Sequence, residues 1–246
     1  MRLHRFYMTE KIEGNKEIEI NSPDLIHQIR NVFRLKVGDK VLLFNGTGFD
    51  YECKIDEFVK GNKISSNSVI RLTVVGSDRN NNISKREIFL CAGIVKKDHF
   101  EWIVEKATEL GVTDIVPISA ERSEKKSLNE ERLRKISIEA SEQSGRDTTP
   151  MVRQIMGLGG AVSLLKKEKS GIEILAFHTE GEEYLKYIKS NLERRPVAVF
   201  IGPEGGWAPV EIEMFHKENI PVVCLGPQVL RAETAAVAAL SVVVFG

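Results

Sequence analysis

The chain has 246 residues, and its 35 Lys and Arg balance 35 Asp and Glu, for a formal net charge of zero at pH 7. Hydrophobic residues make up 42%, enough for a sizeable core and for one large or two smaller domains. No apolar run reaches membrane-span length, and the opening Met1-Arg2-Leu3-His4-Arg5 lacks the apolar core of a secretory signal, so the expectation is a cytoplasmic protein with no membrane partner.

In chain order, Ser22-Pro23-Asp24 reads as a helix start, with Ser as N-cap and Pro at the first helical position. Leu25, Ile26, Ile29, Val32 and Phe33 then recur at helical spacing. Val41–Phe44 is a strand, Asn45-Gly46-Thr47-Gly48 a hairpin turn, and Phe49, Tyr51, Cys53 and Ile55 the buried side of an alternating strand. A small barrel or sandwich is the expected outcome. The polar stretch Gly76–Ser84 reads as a linker, which places residues 1–75 in one domain and 76–246 in a second.

From Glu87 strands and helices alternate. The predicted strands are Ile88–Ile94, Thr113–Ile118, Val152–Ile155, Ile172–His178, Val197–Ile201 and Val222–Leu225. The predicted helices run from an Asp98 cap to Leu110, then Asn129–Ser144, Leu158–Lys169, Glu182–Asn191, Pro209–Glu218 and Ala232–Phe245. This rhythm predicts a mainly parallel sheet covered on both faces. Cys53, Cys91 and Cys224 lie apart in apolar stretches and read as buried free thiols, with no zinc or other metal site.

Charge is unevenly spread. Residues 171–246 hold six basic against ten acidic side chains, whereas 71–170 hold eighteen against fifteen. The acidic C-terminal quarter is a poor phosphate surface, and the preceding part is the better one.

Two turns stand out at the ends of predicted strands: Gly202-Pro203-Glu204-Gly205-Gly206, and Leu225-Gly226-Pro227 leading to Leu230-Arg231-Ala232-Glu233-Thr234-Ala235. Ligands of open α/β sheets sit beyond the carboxyl ends of strands. Neither the Walker nor the dinucleotide glycine pattern is present. Alone, the first turn reads equally as a tight strand–helix connection, but Glu204 among glycines has no packing role and suits a ligand hydroxyl, an ammonium or a loop. Glu233 fits a helix N-terminus, and Arg231 in an apolar neighbourhood calls for an internal partner. Upstream, Glu105–Val112, Glu121-Arg122-Ser123 and Glu139–Arg146 read as polar helix faces, although Glu142, Gln143 and Arg146, at a helix end, could face a nucleotide. Lys96-Lys97 suits either a solvated turn or a phosphate. The five histidines form no nucleophile motif and receive no role.

Taken in order, Lys106-Ala107-Thr108-Glu109-Leu110-Gly111-Val112, Glu142–Arg146, Gly202–Gly206, Leu225-Gly226-Pro227 and Leu230–Ala235 resemble the 16S ribosomal RNA (uracil-N3-)-methyltransferases of the trefoil-knotted SPOUT class. The likeness extends from Arg30 to Ala235. Val32-Phe33-Arg34 stands where that family usually has Val-Leu-Arg, and Ala232 where Thr is common.

The resemblance implies an α+β two-domain chain, with a PUA-like β-barrel followed by a knotted α/β methyltransferase domain, acting as a homodimer. It implies S-adenosylmethionine as cofactor and the 16S RNA of the small ribosomal subunit as partner. Arg231 and Glu233 would be catalytic. Leu175, Thr179, Gly202, Pro203, Glu204, Gly205, Gly206, Leu225, Gly226, Leu230, Thr234 and Ala235 would hold the cofactor. Arg30, Arg34, Lys96, Lys97, Arg122, Gln143 and Arg146 would hold RNA. Methylation of another RNA position such as a ribose 2′-hydroxyl, a non-catalytic RNA-binding module and a small-molecule methyltransferase are the competing readings.

Overall fold

The computed structural model describes residues 3–59, 68–82, 86–123, 127–183 and 195–245. The chain divides into two compact units, Met1–Ile83 with Ser141–Thr148, and Ser84–Ala140 with Thr149–Gly246.

The first unit is a five-stranded sheet of β1 (Arg5–Tyr7), β2 (Glu17–Ile20), β3 (Lys40–Phe44), β4 (Phe49–Val59) and β5 (Val69–Arg79), in the order β1-β3-β4-β5-β2. Its pairings are antiparallel except β1 with β3. Helix α1 (Pro23–His27) starts where expected: the Ser22 side chain accepts from the Leu25 N–H, and a π-helical turn, Gln28–Val32, continues it. Gly46 and Gly48 both have positive φ in the β3–β4 turn. On β4, Tyr51, Cys53 and Ile55 face a core shared with Phe6, Ile29, Leu43, Ile70 and Leu72, whereas Phe49, expected on the same side, is exposed at the strand's start beside the turn. Burial pushes the Cys53 thiol up to about 12.

One departure is that Gly76–Arg79, expected in the linker, finishes β5. Gly76 pairs with Glu52 and Arg79 with Phe49, so ladder pairing overrides local polarity. A second is that Ser141–Thr148 belongs to this unit. Arg5, nearly buried, donates to the carbonyls of Ser141 (3.2 Å) and Arg146 (3.1 Å) and pairs with Asp50 at 2.6 Å. Glu142 accepts from the Tyr7 N–H and from Gln28, both at 2.9 Å.

The second unit is a parallel six-stranded sheet of β6 (Ile88–Gly93), β7 (Asp114–Ile118), β8 (Met151–Val152), β9 (Glu173–Glu183), β10 (Val197–Ile201) and β11 (Val222–Cys224), ordered β11-β9-β10-β6-β7-β8. Its helices are α2 (Lys97–Glu109), α3 (Glu130–Ser144), whose last residues fall in the first unit, α4 (Leu158–Glu168), α5 (Pro209–Lys217) and α6 (Ala232–Phe245). Alternate residues of the central strands enter two cores. Ile88, Leu90, Val197, Val199 and Ile201 share one with α2 and α6, and Phe89, Cys91, Ala198 and Phe200 share the other with α4 and α5. The expected covering of both faces is therefore present.

Four readings need correction. Asp98 is not the cap of α2; Lys96 occupies that position without a side-chain cap bond, and Asp98 lies in the first turn. Strand β8 is displaced toward Met151 and is only two residues long. Strand β9 runs on through Glu182 and Glu183, because its far end pairs with Val223 and Cys224; the rest of the helix expected there, 184–191, lies outside the described residues. Cys224 is half-buried, whereas Cys53 and Cys91 are buried. Among the described residues, no helix is long and apolar enough to cross a membrane.

The Arg5–Asp50 pair yields a stability prediction. Asp50→Ala strands a buried guanidinium and is expected to cost about 3 kcal/mol, read as a lowered urea midpoint. A loss under about 0.5 kcal/mol, the scale of a surface substitution, would contradict it.

Candidate functional site

The candidate site lies in the second unit, where strands β6, β9, β10 and β11 reach their carboxyl ends. The turn after β10 is held from four sides. At the end of β6, a Cβ on Gly93 would fall 2.5 Å from the Pro203 nitrogen, so the two backbones are in direct contact there. The Glu204 carboxylate accepts the Lys96 N–H at 3.0 Å, tying the turn to the start of α2. Arg122 donates to the carbonyls of Gly205 (3.0 Å) and Trp207 (3.4 Å). The buried Trp207 indole donates to the Phe177 carbonyl on β9 at 3.2 Å and meets Phe215 edge-on. Gly206 closes the turn at φ +67, and its N–H returns to the Pro203 carbonyl at 2.8 Å.

The second turn follows β11, on the other side of β9. It leads through exposed Val229 and Leu230 into α6, whose first bond is Ala235 N–H to Arg231 carbonyl at 2.8 Å. Arg231 itself is exposed, which corrects the expectation of an internal, paired guanidinium. Only Ala232 of this entry is buried, as α6 needs an apolar first contact with the core. Glu233 sits half-buried, with its Oε2 3.8 Å from His99 Nδ1 on α2.

Thr179, Gly202 to Gly206, Leu225, Gly226, Leu230, Glu233, Thr234 and Ala235 thus lie on or beside this strand-end rim. Leu175 does not. It is two residues inside β9 from Phe177, the partner of Ile201, and its side chain is fully buried in the core. Of the residues expected to hold RNA, Lys96, Lys97 and Arg122 are exposed on the second unit, and Arg30, Arg34 and Gln143 on the first. Arg34 has positive φ and Arg30 lies over the Phe58 ring. Gln143 lines a shallow cleft of about 190 Å³ with Leu3, His4, Arg5, Phe33 and Glu142. Arg146 departs from the group: it is only 6% exposed, and burial brings its guanidinium down to about 10. A group so withdrawn from water is a structural cation rather than a phosphate contact.

The sequence reading missed His99, Trp207 and Gly93. A signal existed for His99, which stands in the first helical turn after a strand end, where α/β sheets place their ligands. Nothing local marks Gly93 or Trp207, since their roles depend on contacts with distant segments.

A family model described as an RNA methyltransferase domain matches residues 82–244, and one described as an RNA methyltransferase PUA domain matches 23–57. The chain is 32% identical to "Ribosomal RNA small subunit methyltransferase E" of Rickettsia conorii over 98% of this chain and 95% of that one. Its namesake in Bacillus subtilis is 28% identical over 89% and 86%. Among solved structures, the methyltransferase E of Neisseria gonorrhoeae bound to S-adenosyl methionine is 27% identical, with TM-score 0.83 over 98% of this chain and 96% of that one. A putative methyltransferase of Legionella pneumophila in complex with the same cofactor is 28% identical, with TM-score 0.85 over 99% and 97%.

Gly93→Ala tests the packing beneath the rim. Backbone rather than a mobile side chain blocks the added methyl, so a loss of about 2–3 kcal/mol is expected, measured by chemical denaturation. Unchanged stability would show that the β6 end and the Pro203 turn do not touch.

Proposed function

The chain belongs to the small-subunit ribosomal RNA methyltransferase E family, and from that premise we propose that it methylates N3 of one uridine in 16S ribosomal RNA. S-adenosylmethionine is the cofactor; when bound, it supplies an electrophilic methyl group on a sulfonium cation. The observation that carries the reading is the pair of bare turns flanking the end of β9, beside two carboxylates, Glu204 and Glu233. These residues fit such a group. A Cβ on Gly202 would approach the Trp207 nitrogen to 3.2 Å, so a side chain at this position is crowded and the turn presents backbone here. Glu233 Oε2 is buried without a hydrogen-bond partner.

In this reading Thr179, Gly202, Pro203, Glu204, Gly205, Gly206, Leu225, Gly226, Leu230, Thr234 and Ala235 hold the cofactor, largely through backbone. Uridine N3 is a poor nucleophile while it keeps its proton. Arg231, exposed at the head of α6, stabilises the negative charge that develops on the uracil ring. Glu233 assists proton removal or cofactor placement. Little acid catalysis is required, so positioning supplies much of the rate. Arg30, Arg34, Lys96, Lys97, Arg122 and Gln143 are the proposed RNA contacts, with the PUA-like unit contributing the first two and the last. The proposal includes a closed barrel in that unit, a trefoil knot in the methyltransferase domain and a cytoplasmic homodimer. In support of the dimer, α6 ends on exposed Phe245.

The decisive assay is transfer of a labelled methyl group to small subunits lacking this modification, followed by nucleoside identification. N3-methyluridine is the expected product, and a 2′-O-methyl nucleoside would replace this reading with the ribose alternative. Arg231→Ala is expected to lower turnover roughly a hundredfold, the scale of losing one preorganised charge-stabilising donor, while cofactor affinity in calorimetry stays within about threefold. Near-full turnover would remove Arg231 from the chemistry. Gly202→Val should abolish cofactor binding, and unchanged affinity would misplace the cradle.

A further inference from the structure

Helices α2 and α6 pack side by side, and their first turns bring His99 and Glu233 together at the rim. His99 Nδ1 and Glu233 Oε2 are both buried atoms without a hydrogen-bond partner among the described residues, and they lie 3.8 Å apart. That separation is too long for a hydrogen bond, which needs about 2.7–3.2 Å between N and O. Leaving a carboxylate oxygen and a ring nitrogen buried and unpaired is costly for each, and each is the complement of the other.

The other charged groups here are committed or face water. Glu204 accepts the Lys96 N–H. Lys97 pairs with Glu101 at 3.7 Å, and Arg132 of α3 pairs with the same Glu101 at 3.3 Å. Asp98 and Arg231 are exposed.

We propose that His99 is a positioning residue: closing on Glu233, it donates its Nδ1–H to Oε2 and fixes the carboxylate at the head of α6 for methyl transfer. This rests on the role given to Glu233 under the proposed function. The ring does not touch the reacting atoms; it selects one orientation of the carboxylate that does. Because His99 is itself partly exposed, substitution there leaves the α2–α6 packing of Phe100, Ile103, Ala236 and Ala239 in place.

The test combines kinetics with a spectroscopic signature. Single-turnover methyl transfer is measured for His99→Ala, His99→Asn, Glu233→Gln and His99→Ala/Glu233→Gln. The imidazole Nδ1 resonance of His99 is recorded by ¹⁵N NMR at fixed pH in the wild type and in Glu233→Gln. Expected are about a tenfold slower rate for His99→Ala, the scale of a hydrogen bond to a charged group, and substantial recovery in His99→Asn, whose amide nitrogen occupies the Nδ1 position. No further loss is expected when His99→Ala is added to Glu233→Gln, and the Nδ1 resonance should move when Glu233 is neutralised. Additive losses, or an Nδ1 resonance indifferent to Glu233→Gln, would overturn the pairing. Full turnover of Glu233→Gln would instead overturn the role of Glu233, and with it the functional half of the proposal, whatever the resonance shows.

Discussion

A side chain at Gly93 would occupy the place of the Pro203 backbone, and this exclusion governs where the turn after β10 can lie. The end of β6 and the Gly202-Pro203 peptide meet without any side chain between them. From that contact the other restraints follow in register. Glu204 reaches the Lys96 N–H that opens α2, the Trp207 indole reaches the Phe177 carbonyl, and Arg122 closes over two turn carbonyls. A loop so braced presents its backbone in one conformation before any ligand arrives. Preorganisation of this kind lowers the ordering cost of binding and keeps dipoles aimed where charge develops.

The same bracing explains how charge is distributed around the rim. Glu204 accepts the Lys96 N–H at the start of α2, so one of its oxygens has a structural duty. Glu233 has no such commitment except His99, and Arg231 faces water. In the proposed reading, the two carboxylates serve a sulfonium cofactor and the guanidinium at the head of α6 serves an RNA base. The exposed cations of the second unit, Lys96, Lys97 and Arg122, lie in segments adjoining that rim.

Elements carried by local pattern were legible in the sequence. The Ser22 cap, the Asn45–Gly48 turn, the alternation of Tyr51, Cys53 and Ile55, and the continuous apolar strands of the parallel sheet all follow from spacing that short windows contain. Where distant partners decide, the reading failed for identifiable reasons. Strand β5 absorbs Gly76–Arg79 because β4 supplies a ladder. Residues 141–148 join the first unit because Arg5 collects their carbonyls. The Leu175 side chain is fully buried in the core, and Arg146 is buried beside Asp147. The two closing turns were recognisable as a rim because glycines at strand ends carry that meaning locally. Gly93, Trp207 and His99 complete the rim from elsewhere in the chain, and no local signal reveals a glycine whose importance lies in what approaches it.

The proposed cofactor cradle is formed jointly by the turn Gly202–Gly206 and the entry to α6, at the end of β9. A crystal structure of the chain with S-adenosylhomocysteine tests it most directly. Ligand density is expected against the backbone of Gly202–Gly206 and Leu225–Leu230, beside Glu233. Density lying outside those two segments, with both left in the conformation described, would contradict it.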